Sequence, residues 1–296
     1  MALFDTVASR PNQGRQSRVE LGYIPPFDAA AVLGNLRAHL IAGAETVDDD
    51  TITRLVTAPS GPVAVAITLT PDAVRAEVGS TDQADVAAVT AIIRRWFDLD
   101  LDPAGVASAL GGDPVIGPLL QARPGLRVVG STDGFETAVM TVLGQQVSLA
   151  AARTFGARLV AAFGDPGPGG LALFPAAEVL ASVAPDELRA AVGLTGARAR
   201  TLHGLAVACA SGLQLAAGSD PVEFRHRLLG LPGIGPWTAD YLAVRVLGDR
   251  DAFTASDLVL RRSLGGVSAA AAEAASQAWR PYRAYALFHL WTATSY

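Results

Sequence analysis

The order of hydrophobic and polar positions changes character along the chain. Between residues 19 and 81 the two kinds of residue alternate over short stretches, and turns rich in Pro, Gly, Ser and Asp separate these stretches. The alternation predicts β-strands over residues 51–57, 63–70 and 73–78, with an earlier strand that ends at Tyr23. A helix is predicted over residues 28–41, after the Pro25-Pro26 break. We therefore predict a small α+β domain with an antiparallel sheet over residues 19–81.

From residue 82 onward the period lengthens to that of a helix, and strand patterns are almost absent. A loop-rich junction, punctuated by Pro and Gly, is predicted over residues 111–130. Helices are predicted over residues 82–97, 135–147, 149–163, 176–182, 185–192, 197–211, 221–229, 236–247, 256–264, 269–278 and 282–292. The expected fold class is α+β, with the sheet domain followed by a mostly helical body over residues 82–296. Residues 1–18 are polar and aperiodic, which predicts a disordered tail or linker.

Composition excludes several classes of protein. The chain has 296 residues and 50% hydrophobic content, enough to bury a large core. Its longest apolar runs fall short of the ~20 residues that cross a bilayer, and no basic-then-apolar leader begins it, so we expect a cytoplasmic protein with no membrane partner. The single cysteine, Cys209, excludes an internal disulfide, a Cys-rich zinc site and a four-cysteine iron–sulfur cluster. The four histidines are scattered without metal-ligand spacing, and we interpret them as ordinary core or surface residues.

The net charge of −5 is not spread evenly along the chain. Residues 1–122 carry 8 Arg against 15 acidic residues, whereas residues 123–296 carry 15 Arg against 13. All 23 basic residues are arginines, and lysine is absent. If the helical body binds nucleic acid, this balance predicts modest non-specific affinity, with contacts from backbone amides and a few arginines.

The most informative local motif lies at residues 230–257. Gly233 and Gly235 flank one apolar residue, a spacing that allows a tight turn to present backbone N–H groups at the start of a helix near Pro236. Such a helix end binds anions, and phosphate in particular. Asp257 follows Trp237 by twenty residues, at the start of another predicted helix. A carboxylate beside a phosphate-binding turn indicates chemistry on nucleic acid.

These residues also carry a family resemblance. With Leu-Pro-Gly-Ile-Gly at 231–235, Trp-Thr-Ala-Asp-Tyr at 237–241 and the aspartate at 257, the chain resembles the helix-hairpin-helix (HhH-GPD) DNA glycosylases. Within them it is most similar to the bacterial 3-methyladenine DNA glycosylase II group. Further matching blocks lie at 25–28, 122–127, 143–148 and 285–291. The resemblance implies an N-terminal curved sheet, a two-lobed helical body with the active cleft between its lobes, double-stranded DNA as partner, a monomeric state and a place at the nucleoid.

The resemblance also implies roles for individual residues at the hairpin. The backbone N–H groups of Gly233, Gly235 and Thr238 would bind a DNA phosphate, while the carbonyls of Leu229, Leu231 and Gly233 would hold a monovalent cation, Na⁺ or K⁺. No cofactor is implied for catalysis. The alternative is that the hairpin binds DNA in a non-catalytic protein that recognises damage.

The same comparison assigns a base pocket to Trp237, Tyr241, Trp291 and Leu258, and the catalytic carboxylate to Asp257. Gln146 stands where the relatives carry a wedge that fills the gap left by a flipped nucleotide. Each residue also has a plainer explanation: Asp257 as a helix N-cap, the aromatic residues as core, and Gln146 as a loop cap. The chain departs from the relatives' pattern at Asn35, Ser256 and Leu258, which leaves the range of substrates open.

The predicted reaction follows from the substrate's charge. Breaking an N-glycosidic bond builds positive charge on the sugar, which a fixed carboxylate stabilises. An alkylated purine is already cationic and leaves without a further proton, so one carboxylate suffices. Relatives that also cut the strand use a lysine in the hairpin helix, where this chain has Trp237. We therefore predict a monofunctional glycosylase for alkylated purines such as 3-methyladenine, in base excision repair; a glycosylase of the same fold for deaminated or oxidised bases is the alternative.

Overall fold

The computed structural model describes residues 6–9 and 16–295. Its N-terminal part is one antiparallel sheet in the order β1-β2-β6-β5-β4-β3. The strands are β1 (Thr6–Ser9), β2 (Ser17–Leu21), β3 (Glu45–Asp48), β4 (Thr51–Ala58), β5 (Gly61–Leu69) and β6 (Val74–Val78). Alternate residues of β2, β5 and β6 are buried, as the two-residue period predicts. Helix α1 (Ala29–His39) begins after Asp28, whose side chain caps it, and its apolar residues join the core on the sheet.

The rest of the described chain is mostly helical. Its helices are α2 (Gln83–Trp96), α3 (Pro103–Leu110), α4 (Ile116–Ala122), α5 (Gly134–Gly144), α6 (Leu149–Phe163), α7 (Ala177–Ser182), α8 (Pro185–Val192), α9 (Gly196–Ala210), α10 (Pro221–Leu229), α11 (Pro236–Leu242), α12 (Leu258–Ser263), α13 (Ala269–Ser276) and α14 (Arg283–Ser295). A π-helical turn, Ala243–Leu247, continues α11. A two-stranded ribbon, β7 (Asp165–Pro166) and β8 (Ala172–Leu173), follows α6. The α+β fold class is confirmed.

Two hydrophobic cores organise these elements. The first core joins the sheet and α1 to α2, α3 and α4, and also to α12 and α14 from the far end of the chain. The second core consists of helices α5 to α11. The predicted boundary between residues 81 and 82 marks the change from strand to helix patterns. Residues on both sides of it pack together in the first core. Residues of both cores line one shared cavity.

Several predicted elements need correction. The tail predicted over residues 1–18 is wrong where β1 and the start of β2 pair with each other; residues 1–5 and 10–15 lie outside the described residues. The sequence at 6–9, Thr-Val-Ala-Ser, is too short to show a two-residue period. The segment is a strand because it pairs with the edge of β2. The loop predicted over 111–130 contains α4, because Asp113 accepts hydrogen bonds from the amides of Val115 and Ile116 and starts a helix there.

A further correction concerns the helix predicted over residues 135–147. Helix α5 ends at Gly144, and the next two residues form a turn in which Gln146 has a φ of 54°. A residue other than glycine in this left-handed region is strained by roughly 1–3 kcal/mol. The turn thus points the chain away from α5 just before α6 begins. No helix among the described residues has the length and apolarity needed to span a bilayer.

Candidate active site

A cavity of about 520 Å³ lies between the two cores. Its walls include residues of α1, β4, α12 and α14 from the first core and of α5, α6 and α11 from the second. Four residues of the predicted site, Trp237, Tyr241, Asp257 and Trp291, line it together. Since these residues are up to 54 positions apart in sequence, the fold and not local sequence brings them into one site.

Asp257 is held in this cavity by three hydrogen bonds. Its Oδ1 accepts from the backbone N–H of Leu260, at 2.8 Å, and from Nε1 of Trp291, at 3.0 Å. Its Oδ2 accepts from Nε1 of Trp237, at 2.9 Å. The residue is only 8% exposed. Asp257 is therefore the N-cap of α12 and also lines the cavity, and its catalytic role stays a prediction.

The aromatic residues form a continuous wall beside the carboxylate. The rings of Trp237 and Tyr241 stack at 5.1 Å between centroids and 13° between planes. Trp291 lies 6.0 Å from Tyr241 at an angle of 47°. Arg245, in the π-helical turn, donates a 2.7 Å hydrogen bond to the hydroxyl of Tyr241 and fixes that ring. Flat, electron-rich rings at this spacing suit a planar, positively charged ligand.

Leu258 is a correction to the predicted pocket. Its side chain is 54% exposed and does not line the cavity, whereas the next residue, Val259, does. Since α12 begins at Leu258, a shift of one residue turns the side chain by about 100° around the helix. The family resemblance implied a pocket role for Leu258, and in this chain the neighbouring Val259 faces the cavity instead.

The hairpin between α10 and α11 has the backbone that the two glycines predict. Gly233 has a φ of 86°, and a Cβ there would lie 2.0 Å from the Thr201 hydroxyl of α9, so no side chain fits. Gly235 is the N-cap of α11, and Pro236 follows at the first helical position. In the described part of the chain, the N–H groups of Gly233 and Gly235 donate to no other residue. Both remain available for an anion at the helix start.

Gln145 connects this hairpin to the turn that carries Gln146. Its side-chain Nε2 donates to the carbonyl of Gly233, at 3.1 Å, and to the hydroxyl of Thr238, at 3.2 Å. Its own carbonyl accepts a hydrogen bond from the Arg198 guanidinium of α9. Gln146 itself is exposed, between the cavity-lining residues Gly144 and Val147, and its side chain bonds to none of the described residues. The predicted phosphate-binding turn and the predicted wedge are thus held together by one side chain that the sequence analysis did not single out.

A buried ion cluster forms part of the cavity wall. The guanidinium of Arg54 in β4 contacts Glu45 of β3 at 3.0 Å and Glu136 of α5 at 2.5 Å, and all three side chains are about nine-tenths buried. Burial lowers the pKa of Arg54, but the two carboxylates more than offset this and raise it overall. Burial also raises the pKa of Glu136, against the effect of Arg54. The cluster joins the sheet to the second core. The only sign of it in the sequence is Arg54, a charged residue within the alternating pattern of β4.

Comparisons with known proteins agree with this architecture. The family model for the AlkA N-terminal domain matches residues 18–133, and the model for the HhH-GPD superfamily of base excision DNA repair proteins matches residues 139–280. Among solved structures, a 3-methyladenine DNA glycosylase from Archaeoglobus fulgidus superimposes with a TM-score of 0.82 over 94% of this chain and 98% of that one. At 22% sequence identity this match bears on the fold alone.

Two curated relatives are similar in sequence. A probable bifunctional transcriptional activator/DNA repair enzyme AlkA from Mycobacterium tuberculosis is 42% identical over 90% of this chain, which spans about half (55%) of that relative's length. DNA-3-methyladenine glycosylase 2 from Escherichia coli is 34% identical over 92% of this chain and 95% of its own. The hairpin, the aspartate in the cleft and these similarities over nearly the whole chain lead to one assignment. The chain belongs to the HhH-GPD superfamily of base excision DNA repair proteins.

Proposed function

We propose that this protein is a DNA glycosylase that removes alkylated purines, 3-methyladenine foremost, from double-stranded DNA. The observation that carries the proposal is the carboxylate of Asp257, fixed by two indole N–H groups and a backbone amide inside a cavity next to a phosphate-binding turn. The named relatives, a 3-methyladenine glycosylase among them, support the same activity. The protein acts as a monomer on chromosomal DNA, and so at the nucleoid.

The reaction requires the target base to leave the helix. The hairpin amides of Gly233 and Gly235 hold a backbone phosphate, and Gln146 at the cavity's edge fills the space in the stack. The extruded nucleotide enters the cavity, where the rings of Trp237, Tyr241 and Trp291 receive the base. An alkylated purine is cationic, and each contact between such a cation and an aromatic face contributes about 0.5–2 kcal/mol. Damaged bases also cost least to unstack.

Bond cleavage depends on Asp257. As the N-glycosidic bond lengthens, positive charge develops on the sugar, and the buried carboxylate stabilises it. The hydrogen bonds to Trp237, Trp291 and Leu260 hold the carboxylate in place before the reaction, so little reorganisation is needed. The base leaves as a neutral molecule with the electrons of the N-glycosidic bond, and a water oxygen forms the new bond to the sugar carbon. The water loses a proton to solvent, and an abasic site remains. Because the chain has no lysine, we propose that it does not cut the strand by a Schiff base.

We also propose a monovalent cation at the hairpin, held by the carbonyls of Leu229, Leu231 and Gly233. The carbonyl of Leu229 accepts no hydrogen bond from the described residues, while Leu231 accepts one from Ile234 and Gly233 accepts one from Gln145. Since a carbonyl has two lone pairs, each of the three keeps at least one for a cation, which supports this proposal. K⁺ or Na⁺ should raise the Tm relative to choline at equal ionic strength. Equal Tm values in the three salts would contradict this site.

The activity is tested with DNA that carries labelled 3-methyladenine. We expect release of the free base and an intact abasic strand that breaks only on alkaline treatment. Borohydride should trap no covalent complex between enzyme and DNA. If no base is released while the DNA is bound, the protein is a damage binder and the proposed activity is wrong. If the strand is cut without alkali and a complex is trapped, only the monofunctional part fails.

A further inference from the structure

One polar residue in the cavity has no role in the reaction described above. His39, at the last turn of α1, is half-buried and lines the same cavity as Trp237, Tyr241 and Asp257. Its Nδ1 lies 2.8 Å from the backbone carbonyl of Asn35. Because a carbonyl oxygen only accepts hydrogen bonds, Nδ1 must carry the proton in this contact. In a neutral ring, Nε2 then has a free lone pair.

The surroundings of His39 keep its ring neutral. Burial lowers its pKa to about 4, and the guanidinium groups of Arg245 and Arg153 act in the same direction, against a smaller effect of the Asn35 carbonyl. Both arginines are held in place: Arg153 donates to the carbonyl of Leu40 and Arg245 to the hydroxyl of Tyr241. At neutral pH the imidazole is therefore uncharged, with Nδ1 as donor and Nε2 as acceptor.

Nε2 of His39 has no hydrogen-bond partner among the described residues. Among residues 6–9 and 16–295, only the Asn35 carbonyl forms a hydrogen bond with this ring. A fixed acceptor at the wall of a ligand cavity is a specificity element, because a ligand that lacks a matching donor leaves it unpaired. The neutral form also avoids repulsion with a cationic base.

We propose that Nε2 of His39 accepts a hydrogen bond from the exocyclic amino group of the flipped base, and that this contact selects alkylated purines with an amino group over deaminated purines. The inference rests on the proposed function and narrows its substrate class. A purine with a carbonyl at that position would bring two acceptors together. The contact would be lost and replaced by repulsion between lone pairs. His39 is thus a specificity-determining residue, distinct from the carboxylate that supports bond cleavage.

The test compares two free bases of nearly equal shape. 3-Methyladenine carries the amino group, and 3-methylhypoxanthine carries a carbonyl in its place. Binding of each base to the whole protein is measured by calorimetry. We expect the wild-type protein to prefer 3-methyladenine by roughly 10-fold, the value of one hydrogen bond between neutral groups.

Three variants separate the contact from general damage to the fold. His39→Leu should bring the ratio of the two affinities close to 1, because it removes the acceptor and fills much of the same space with an apolar side chain. His39→Gln should keep part of the preference through its amide oxygen, and it decides the question if the Leu variant does not fold. His226→Leu, at an exposed histidine of α10 outside the cavity, is the matched control and should retain the wild-type ratio.

The outcomes are distinct from those of the proposed function. If the wild-type protein shows no preference, or if His39→Leu keeps the full preference, the inference is overturned. In either case release of 3-methyladenine from DNA would still support the glycosylase. If the wild-type protein releases no base from methylated DNA, the proposed function fails and the selection by His39 fails with it.

Discussion

Trp237 donates a hydrogen bond of 2.9 Å from its indole nitrogen to Oδ2 of Asp257. The two residues are twenty positions apart, one in the first turn after the hairpin and the other at the start of α12. The bond therefore links the turn proposed to bind phosphate to the carboxylate proposed to stabilise the reacting sugar. In the proposed mechanism, this bond holds the carboxylate in place before the DNA binds.

The first prediction concerns this bond. Trp237→Phe keeps an aromatic ring against Tyr241 but removes the donor, so one oxygen of Asp257 is left free to move. A hydrogen bond to a charged group contributes about 1.5–3 kcal/mol, and a loss of this size in the transition state slows excision by about 10- to 100-fold. Single-turnover release of 3-methyladenine measures the rate, and binding to damaged DNA should change much less.

Trp279 supplies the matched control for this experiment. Its indole nitrogen donates to Asp113 at 2.8 Å, in the first core and away from the cavity. Trp279→Phe should lower stability and leave the excision rate of the folded protein unchanged. If both variants slow excision equally, the bond from Trp237 stabilises the fold only.

The second prediction separates the two functions of Asp257. Asp257→Asn keeps the size and much of the helix capping, so the free energy of unfolding should change by no more than about 1 kcal/mol. Loss of the negative charge should slow base release by about 10²–10³, if its contribution resembles that of an oxyanion-hole donor. The variant should bind damaged DNA and hardly release the base.

Asp82 is a suitable control for capping alone. It caps α2 by accepting from the amides of Ala84 and Asp85, and it does not line the cavity. Asp82→Asn should have a similar small effect on stability and none on excision. A near-normal rate for Asp257→Asn would mean that Asp257 is a helix cap and that the catalytic assignment is wrong.

The third prediction distinguishes the adjacent residues Gln145 and Gln146. Gln146→Ala removes the proposed filler of the stack, so it should weaken binding to an abasic-site analogue and slow excision, with little effect on undamaged DNA. Gln145→Ala removes the bonds to Gly233 and Thr238, which should loosen the turn proposed to bind phosphate. It should therefore weaken binding to damaged and undamaged DNA alike.

Titration of fluorescent duplexes with and without the abasic analogue measures both effects. Gln277→Ala, at an exposed glutamine beyond α13, is a control for the loss of an amide side chain. If Gln146→Ala leaves affinity and excision unchanged, its side chain is not a wedge. If Gln145→Ala weakens binding only to the duplex with the abasic analogue, Gln145 does not act through the turn that contacts all DNA, and the proposed difference between the two residues is wrong.

The sequence predicted those parts of the site that a short motif encodes. The hairpin follows from two glycines and a proline, and Asp257 and Trp237 lie within the same stretch of the chain. The cluster of Arg54 with Glu136 could not be predicted in the same way, because its members are 82 positions apart and come together only across the two cores. His39 was interpreted as an ordinary histidine. Its one available signal was its position one turn after Asn35, a residue already noted as unusual.

Some features could not be predicted because they depend on local geometry and not on contacts between residues distant in sequence. Whether Leu258 or Val259 faces the cavity depends on a single residue at the start of α12. The strain at Gln146, which ends α5 early, has no sequence marker because glutamine rarely adopts a positive φ. The strand β1 exists through its pairing with β2, so its own sequence carries little information. In each case the deciding energy comes from contacts between elements.

The last prediction concerns stability and pH. His289 in α14 is 4% exposed, and burial lowers its pKa to about 4, with a further effect of Arg123 in the same direction and an opposing effect of Asp28. The unfolded chain binds this proton with the ordinary pKa of 6.5, so between these values it takes up more protons than the folded protein. The free energy of unfolding should therefore fall as the pH drops from 6.5 towards 4, by about 3 kcal/mol for this group.

His289→Gln removes the titration and isolates this contribution from that of the carboxylates and of His39. Urea unfolding of both proteins across the pH range gives the difference between their free energies of unfolding. The wild-type protein should be relatively more stable above pH 6.5, and its relative stability should decrease steadily towards pH 4. A difference that stays constant over this range would mean that His289 has the same pKa in the folded and unfolded states, and that burial in α14 does not keep it neutral.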